Sequence, residues 1–160
     1  MTLAATGRQV LGQAAASSLR CTPGPAQSFE LCVERESGLA GLTDRDLRQP
    51  SIFRRIARAF LRKWGVAICQ DSVCLLVSEL VTNALLHGRG PVSFRMVHRG
   101  RIVELSVATD ESVPDLAARP GAELDECGRG LVLVDAVATD WGVRDGRVWC
   151  TLPCHSTRSA

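Results

Sequence analysis

Glu79, Asn83 and His87 follow one another at four-residue intervals within Glu79-Leu80-Val81-Thr82-Asn83-Ala84-Leu85-Leu86-His87-Gly88. On a helix, at about 100° per residue, such a series forms a stripe that drifts toward a neighbouring face. The neighbouring face is apolar: Val73, Leu76, Val77, Leu80 and Ala84 recur at three- and four-residue spacings. The stripe therefore brings a carboxylate, an amide and an imidazole to the margin of a core. Burying such groups unpaired costs roughly 1–3 kcal/mol or more each. Either neighbouring side chains satisfy them in a structural stripe, or a ligand does.

Two other places carry the residue types of a site. Gly128-Arg129-Gly130 stands immediately before the apolar run Leu131, Val132, Leu133, Val134, Ala136 and Val137, which reads as a largely buried helix. Glycines at a helix start let backbone amides approach an anion, and the helix dipole there favours phosphate, although many glycine pairs only relieve crowding. Asp110 falls where a β-rich run ends, in Ala108-Thr109-Asp110-Glu111-Ser112-Val113-Pro114. Strand ends often hold functional side chains, and aspartate is also a common turn former.

The elements that must position these residues follow from local pattern. The central helix spans 71–87, stopped by Gly88, Gly90 and Pro91. Before it, Ile52, Phe53, Ile56, Phe60 and Trp64 mark an amphipathic helix over 50–64, ended by Gly65, with Arg54, Arg55, Arg58, Arg62 and Lys63 on its other side. Such a basic face can meet a partner or simply be solvated. After it, Val92–Val97 and Ile102–Val107 alternate apolar and polar residues and should pair as an antiparallel hairpin across 98–101. Residues 141–143 and 148–152 should form a closing hairpin across Asp145-Gly146. Phe29 to Glu34 reads as a half-buried edge strand, 37–49 as a loop, and the acidic, aperiodic stretch 115–127 as an exposed loop of the kind that acts as a lid. Residues 1–28 read as a mobile tail, 29–153 as one domain, and 154–160 as a polar C-terminal tail.

Length and composition agree with one domain: 160 residues support a single real core. Nineteen basic and 17 acidic residues give a net charge of +2, which offers no case for nucleic acid as a direct partner. Seven cysteines show none of the close pairings of a structural zinc site. With no charged-then-apolar leader and no apolar run near 18 residues, the expectation is a cytoplasmic protein with reduced thiols and no membrane association.

Taken in order, these pieces resemble the ATP-binding domain shared by sensor histidine kinases, gyrase, a heat-shock chaperone and mismatch-repair ATPases, the GHKL or Bergerat family. Val77-Ser78-Glu79-Leu80-Val81-Thr82-Asn83-Ala84 with His87-Gly88 is similar to the first box of its short members, the anti-sigma-factor serine kinases and related actinobacterial regulatory ATPases. Gly128-Arg129-Gly130-Leu131, with Val134-Asp135-Ala136 and Trp141-Gly142, is similar to the later box. The resemblance covers about 29 to 152. It implies an α+β fold: a two-layer α/β sandwich whose mainly antiparallel mixed sheet carries helices 50–64, 71–87 and 129–138 on one face.

The resemblance also implies roles. Asn83 would bind Mg2+ with triphosphate oxygens and water, as a neutral amide oxygen suits a hard cation. Glu79 would be the general base or orient the nucleophile. Asp110 would accept the adenine amino group. Gly128, Arg129, Gly130 and Leu131 would line the nucleotide, with 115–127 closing over it and His87 beside the phosphates or capping its helix. In the family, glycines usually follow the aspartate, whereas Glu111, Ser112 and Pro114 follow Asp110, so the adenine end differs and Ser112 joins the candidate lining. Thr151 stands as the substitute for a threonine usual in the closing hairpin. Only a tail and one strand precede helix 50–64, leaving no place for a phosphoacceptor hairpin, and His87 is not a phosphoacceptor. Two readings follow. One is an ATP-dependent serine/threonine protein kinase that phosphorylates an antagonist protein and alternately binds a sigma factor, commonly as a homodimer. The other is a non-catalytic ATP-binding module that sequesters its partner through helix 50–64.

Overall fold

The chain was analysed as a computed structural model, which describes residues 17–22, 26–35, 41–110 and 129–156, with side chains over 26–35, 41–110 and 130–155. The central helix α2 runs Gln70–His87 and buries Val73, Cys74, Leu76, Val77, Leu80, Val81, Ala84 and Leu85. Its apolar face is wider than the periodic positions alone require because it packs on three sides: against α1 (Asp44–Trp64), against α3 (Arg129–Val137), and against strands β4 (Val92–Arg99) and β5 (Ile102–Ala108).

The α1 helix begins six residues before the expected position. Thr43 caps it, its hydroxyl accepting from the Asp46 amide at 3.2 Å while the Asp46 carboxylate accepts from the Thr43 amide at 3.0 Å. This reciprocal pair satisfies two orphan donors of the first turn. Pro50, which reads locally as a helix start, lies inside the helix. At the far end Gly65 adopts the left-handed conformation, φ 65°, that stops helices cheaply. The face between these ends buries Phe53, Ala57, Leu61 and Trp64.

Six strands form the main sheet in the order β1-β2-β4-β5-β7-β6, and every neighbouring pair is antiparallel. Here β2 is Gln27–Val33, β6 is Asp140–Arg144 and β7 is Arg147–Pro153. Both expected hairpins are present, β4 with β5 and β6 with β7. The edge strand β1, Ser17–Thr22, falls in the stretch that composition assigned to a tail, and its pairing with β2 moves β2 in from the edge. A second small sheet joins β3 (Val66–Ala67) to β8 (His155–Ser156). Cys154, expected to open a polar tail, is buried, and its amide donates to the Arg101 carbonyl at 2.8 Å.

The strand positions that face the helices are Phe29, Leu31, Val92, Phe94, Met96, Val103, Leu105, Val107, Val148, Cys150 and Leu152, all in one core. Its aromatic centre links the layers. Phe29 stacks on Phe60 with centroids 4.1 Å apart, and Phe53 meets Phe94 edge-on at 5.4 Å. The architecture is the two-layer α+β sandwich expected from the sequence, with its three helices on one face.

The opposite face of the sheet carries a polar network. Arg147 donates to Ser106 at 3.2 Å, to Glu30 at 3.2 Å and to the Ser93 hydroxyl at 3.3 Å, and Ser93 donates to Glu30 at 2.7 Å. Burial alone would push the Glu30 carboxyl up. The Ser93 hydroxyl and the Arg147 guanidinium outweigh it and hold the carboxyl below its ordinary value.

Candidate active site

The site is built where α2 meets the start of α3. Glu79 and Asn83 are half-buried on α2, one turn apart, as the stripe predicts. Gly130, in the first turn of α3, stands directly against them. A Cβ at Gly130 would lie 2.8 Å from Glu79 Oε2 and 3.1 Å from both polar atoms of the Asn83 amide. Gly130 thus meets residues 47 and 51 positions before it with no side chain of its own between them. The position of α2 is fixed from behind by α1: Arg54 donates to the Ser78 hydroxyl at 2.7 Å, and Ser78 donates to the Cys74 carbonyl at 2.8 Å.

Beside this meeting point lies an apolar pocket lined by Leu80, Asn83, Ala84, Val107, Ala108, Thr109, Leu131 and Val148. Ligand pockets commonly combine such apolar walls with a few polar groups. Here the polar groups are the Asn83 amide and the Thr109 hydroxyl, and the walls come from α2, the end of β5, α3 and β7. Leu131 is where the sequence places it, in the lining. Leu80, Ala84, Val107, Ala108, Thr109 and Val148 were not singled out as site residues. For Val148 the missed signal was strand alternation, which sends 148, 150 and 152 to one face of β7.

Alternation also removes Thr151 from the pocket. Its register partners are Glu104 and Asp140, and its hydroxyl donates to the Asp140 carbonyl at 3.4 Å on the face turned away from the helices. The β7 side chain that reaches the pocket is Val148.

Neither Asp110 nor His87 lines this pocket. His87 lines an adjoining polar hollow with Arg35, Leu86, Gly88, Arg89 and Gly90. The Asp110 carboxylate packs on Gly90, where a Cβ would come 2.5 Å from Oδ2, and the Asp110 amide donates to the Arg89 carbonyl at 3.1 Å. Gly90 also has φ +72°, so both backbone and space call for glycine. Gly88 differs: its φ is −85°, and what excludes a side chain is the Ala84 carbonyl, 2.6 Å from a Cβ, together with Thr109, whose hydroxyl would be 2.7 Å away. Ser112, Gly128 and the loop 115–127 lie outside the described residues, as does the side chain of Arg129.

The family described as the histidine kinase-like ATPase domain matches residues 43–152, from the N-cap of α1 to the last turns of the sheet in β7. The chain belongs to this family. Its domain is therefore an ATP-binding one, and the match leaves β1 and β2 outside its bounds. In a comparison with curated proteins, no match was found. Among the described residues, no helix of this histidine kinase-like ATPase domain is long and apolar enough to cross a membrane.

The residues present fit the nucleotide and its metal. Among the described residues no three His, Cys, Asp or Glu side chains gather into a metal cage. A magnesium ion here would have to be held by the Asn83 amide oxygen together with phosphate oxygens and water, which is how this hard cation is usually bound with nucleotides. The bare Gly130 beside Glu79 and Asn83 is a cradle that a Cβ would fill. The pocket next to it is walled mainly by aliphatic side chains.

Proposed function

We propose that the protein is an ATP-dependent regulatory kinase that phosphorylates a serine or threonine of a small antagonist protein and, in alternation, binds a sigma factor. The observation that carries this reading is the contact of Gly130 with both Glu79 and Asn83, which brings a carboxylate and an amide to one spot beside an apolar pocket. Asn83 would hold Mg2+, which when bound with ATP neutralises phosphate charge. Glu79, one turn away, takes the proton of the attacking hydroxyl as its oxygen bonds to the γ-phosphorus and the bond to the β,γ-bridging oxygen breaks. Asp110 accepts from the exocyclic amino group of adenine, since an ionised carboxylate can only accept. Leu80, Ala84 and Val148 exclude water from the base. Two experiments test the reading. Calorimetric titration of Mg-ATP should show binding by wild type and loss in Asn83→Ala, and heat from neither would remove the nucleotide assignment. Transfer of labelled phosphate to an antagonist protein should fall by about 10² or more in Glu79→Gln, the usual scale for a general base.

A second reading, capture of a partner without phosphoryl transfer, is favoured by α1. Between Leu47 and Trp64 this helix carries six basic residues and no acidic one. Arg54 and Arg58 turn toward α2, through Ser78 and through Asp71 at 3.9 Å. Arg48, Arg55 and Arg62 are exposed at seven-residue intervals, a row about 21 Å long at 1.5 Å per residue. Guanidinium groups in such a row suit carboxylates of an acidic protein segment. Reversing the charge at Arg48, Arg55 and Arg62 should abolish partner capture while leaving Mg-ATP binding intact. Unchanged capture would remove this reading.

A further inference from the structure

We infer that Arg35 is a positioning residue for base recognition, acting through the turn that follows α2; the inference rests on the nucleotide reading above and on Asp110 as the acceptor for adenine. Arg35 stands just beyond the end of β2, 53 residues before Gly88, and its Nη1 donates to the Gly88 carbonyl. A cation at a helix C-terminus is favoured by the dipole, so a cap alone would account for the contact. Two further observations go beyond a cap.

The first is what the capped turn supports. The segment 88–90 is the platform on which the end of β5 is laid: Thr109 packs on Gly88, the Asp110 amide donates to Arg89 at 3.1 Å, and the Asp110 carboxylate rests on Gly90. Neither glycine has room for a side chain that could fix the turn from within. The exposed Asp110 carboxylate therefore rests on a turn whose Gly88 carbonyl is held by Arg35, two residues beyond the end of β2.

The second is the state of the guanidinium. Arg35 Nε is buried without a hydrogen-bond partner. An orphaned buried N–H opposes folding, so the chain keeps Arg35 in this place at a cost to stability. A planar, fixed donor held between β2 and the turn stiffens the platform under Asp110.

A stiff acceptor discriminates. Adenine offers an amino donor where guanine offers a carbonyl acceptor, so an ionised carboxylate in fixed position rewards the first and repels the second. A carboxylate free to swing away does neither well. The test compares ATP and GTP binding by wild type, Arg35→Ala and Arg35→Lys, with amide exchange of Asp110 followed in the nucleotide-free proteins. Arg35→Ala should weaken ATP about tenfold, roughly one charge-assisted hydrogen bond, while GTP changes by less than about twofold. Asp110 amide exchange should quicken in Arg35→Ala, and Arg35→Lys should restore part of both effects. Should Arg35→Ala not fold, Arg35→Gln takes its place in the same comparison. Equal weakening of both nucleotides, or no change in either, would reduce Arg35 to a helix cap and overturn the inference. Wild type that binds ATP but shows no dependence on Asp110 would overturn the role of that carboxylate. If wild type binds neither nucleotide, the reading beneath fails, and unchanged Asp110 exchange would then overturn the positioning role separately.

Discussion

Gly130 of α3 lies so close to Glu79 of α2 that a single added carbon would stand 2.8 Å from the carboxylate oxygen. The atoms it would meet are ends of side chains, Glu79 Oε2 and the Asn83 amide, rather than backbone. Gly130→Ala should therefore displace those two side chains before it displaces the helices. Stability should fall by no more than about 1–3 kcal/mol, the usual range for overpacking. Mg-ATP affinity should fall about tenfold or more, because a misplaced ligand group costs more than its own contact. Calorimetry beside a urea melt separates the two. Loss of stability with full ATP affinity would contradict the geometry.

Core energetics should be concentrated where the layers are joined by aromatics. Phe53 is wholly buried and meets Phe94 edge-on. Phe53→Ala should cost about 3–5 kcal/mol, with the urea midpoint as readout. A loss below about 1 kcal/mol would mean that α1 is held mainly by its cap and its arginines.

The polar network on the open face of the sheet should make stability depend on pH. The folded Glu30 carboxyl is held below its ordinary value of 4.5, so its ionised form favours the fold. This contribution is present in full above pH 4.5 and is lost as pH falls through the lower, folded value. Glu30 is 37% exposed, so solvent screening keeps the effect to about 1 kcal/mol or less. Urea melts of wild type and Glu30→Gln should differ at pH 7 and converge as pH falls through the lowered, folded value. A constant gap over that range would show that the ion pair with Arg147 contributes nothing.

The thiols should react in a set order. Burial pushes Cys150 up to about 12. Cys69 is exposed at the N-cap of α2, where the hydroxyl and backbone amide of the nearby Ser72 favour the thiolate and lower its value. Thiolates are the reactive form, so at pH 7.5 an iodoacetamide label read by peptide mass spectrometry should enter Cys69 well before Cys150. Cys150 should label only on unfolding. Labelling of both at equal rates in the native protein would refute the assignment.

Local sequence determined the parts of this protein that local physics controls. The 3.6-residue period placed α2 within one residue of its start, and it put Glu79 and Asn83 on one side of it. Alternation and turn residues placed both hairpins. The family followed from boxes whose spacing is fixed by single elements, and the matched residues 43–152 agree with it. What pattern alone missed was misread locally or decided at long range. Pro50 hid the true start of α1 because a proline reads as a first-turn residue, although the reciprocal Thr43 and Asp46 pair was there to be read. Thr151 was placed by analogy, and the pleat of β7 sends it to the other face.

The remaining features could not be read from any window of sequence. That Gly130 touches Glu79 and Asn83, that Asp110 rests on Gly90, and that Arg35 reaches Gly88 across 53 residues depend on how the sheet brings distant segments together. Periodicity reports which side of an element is buried, and says nothing of which other element covers it. Sequence thus determined the groups available for chemistry, while the packing of α3 and of the turn after α2 decided which of them meet.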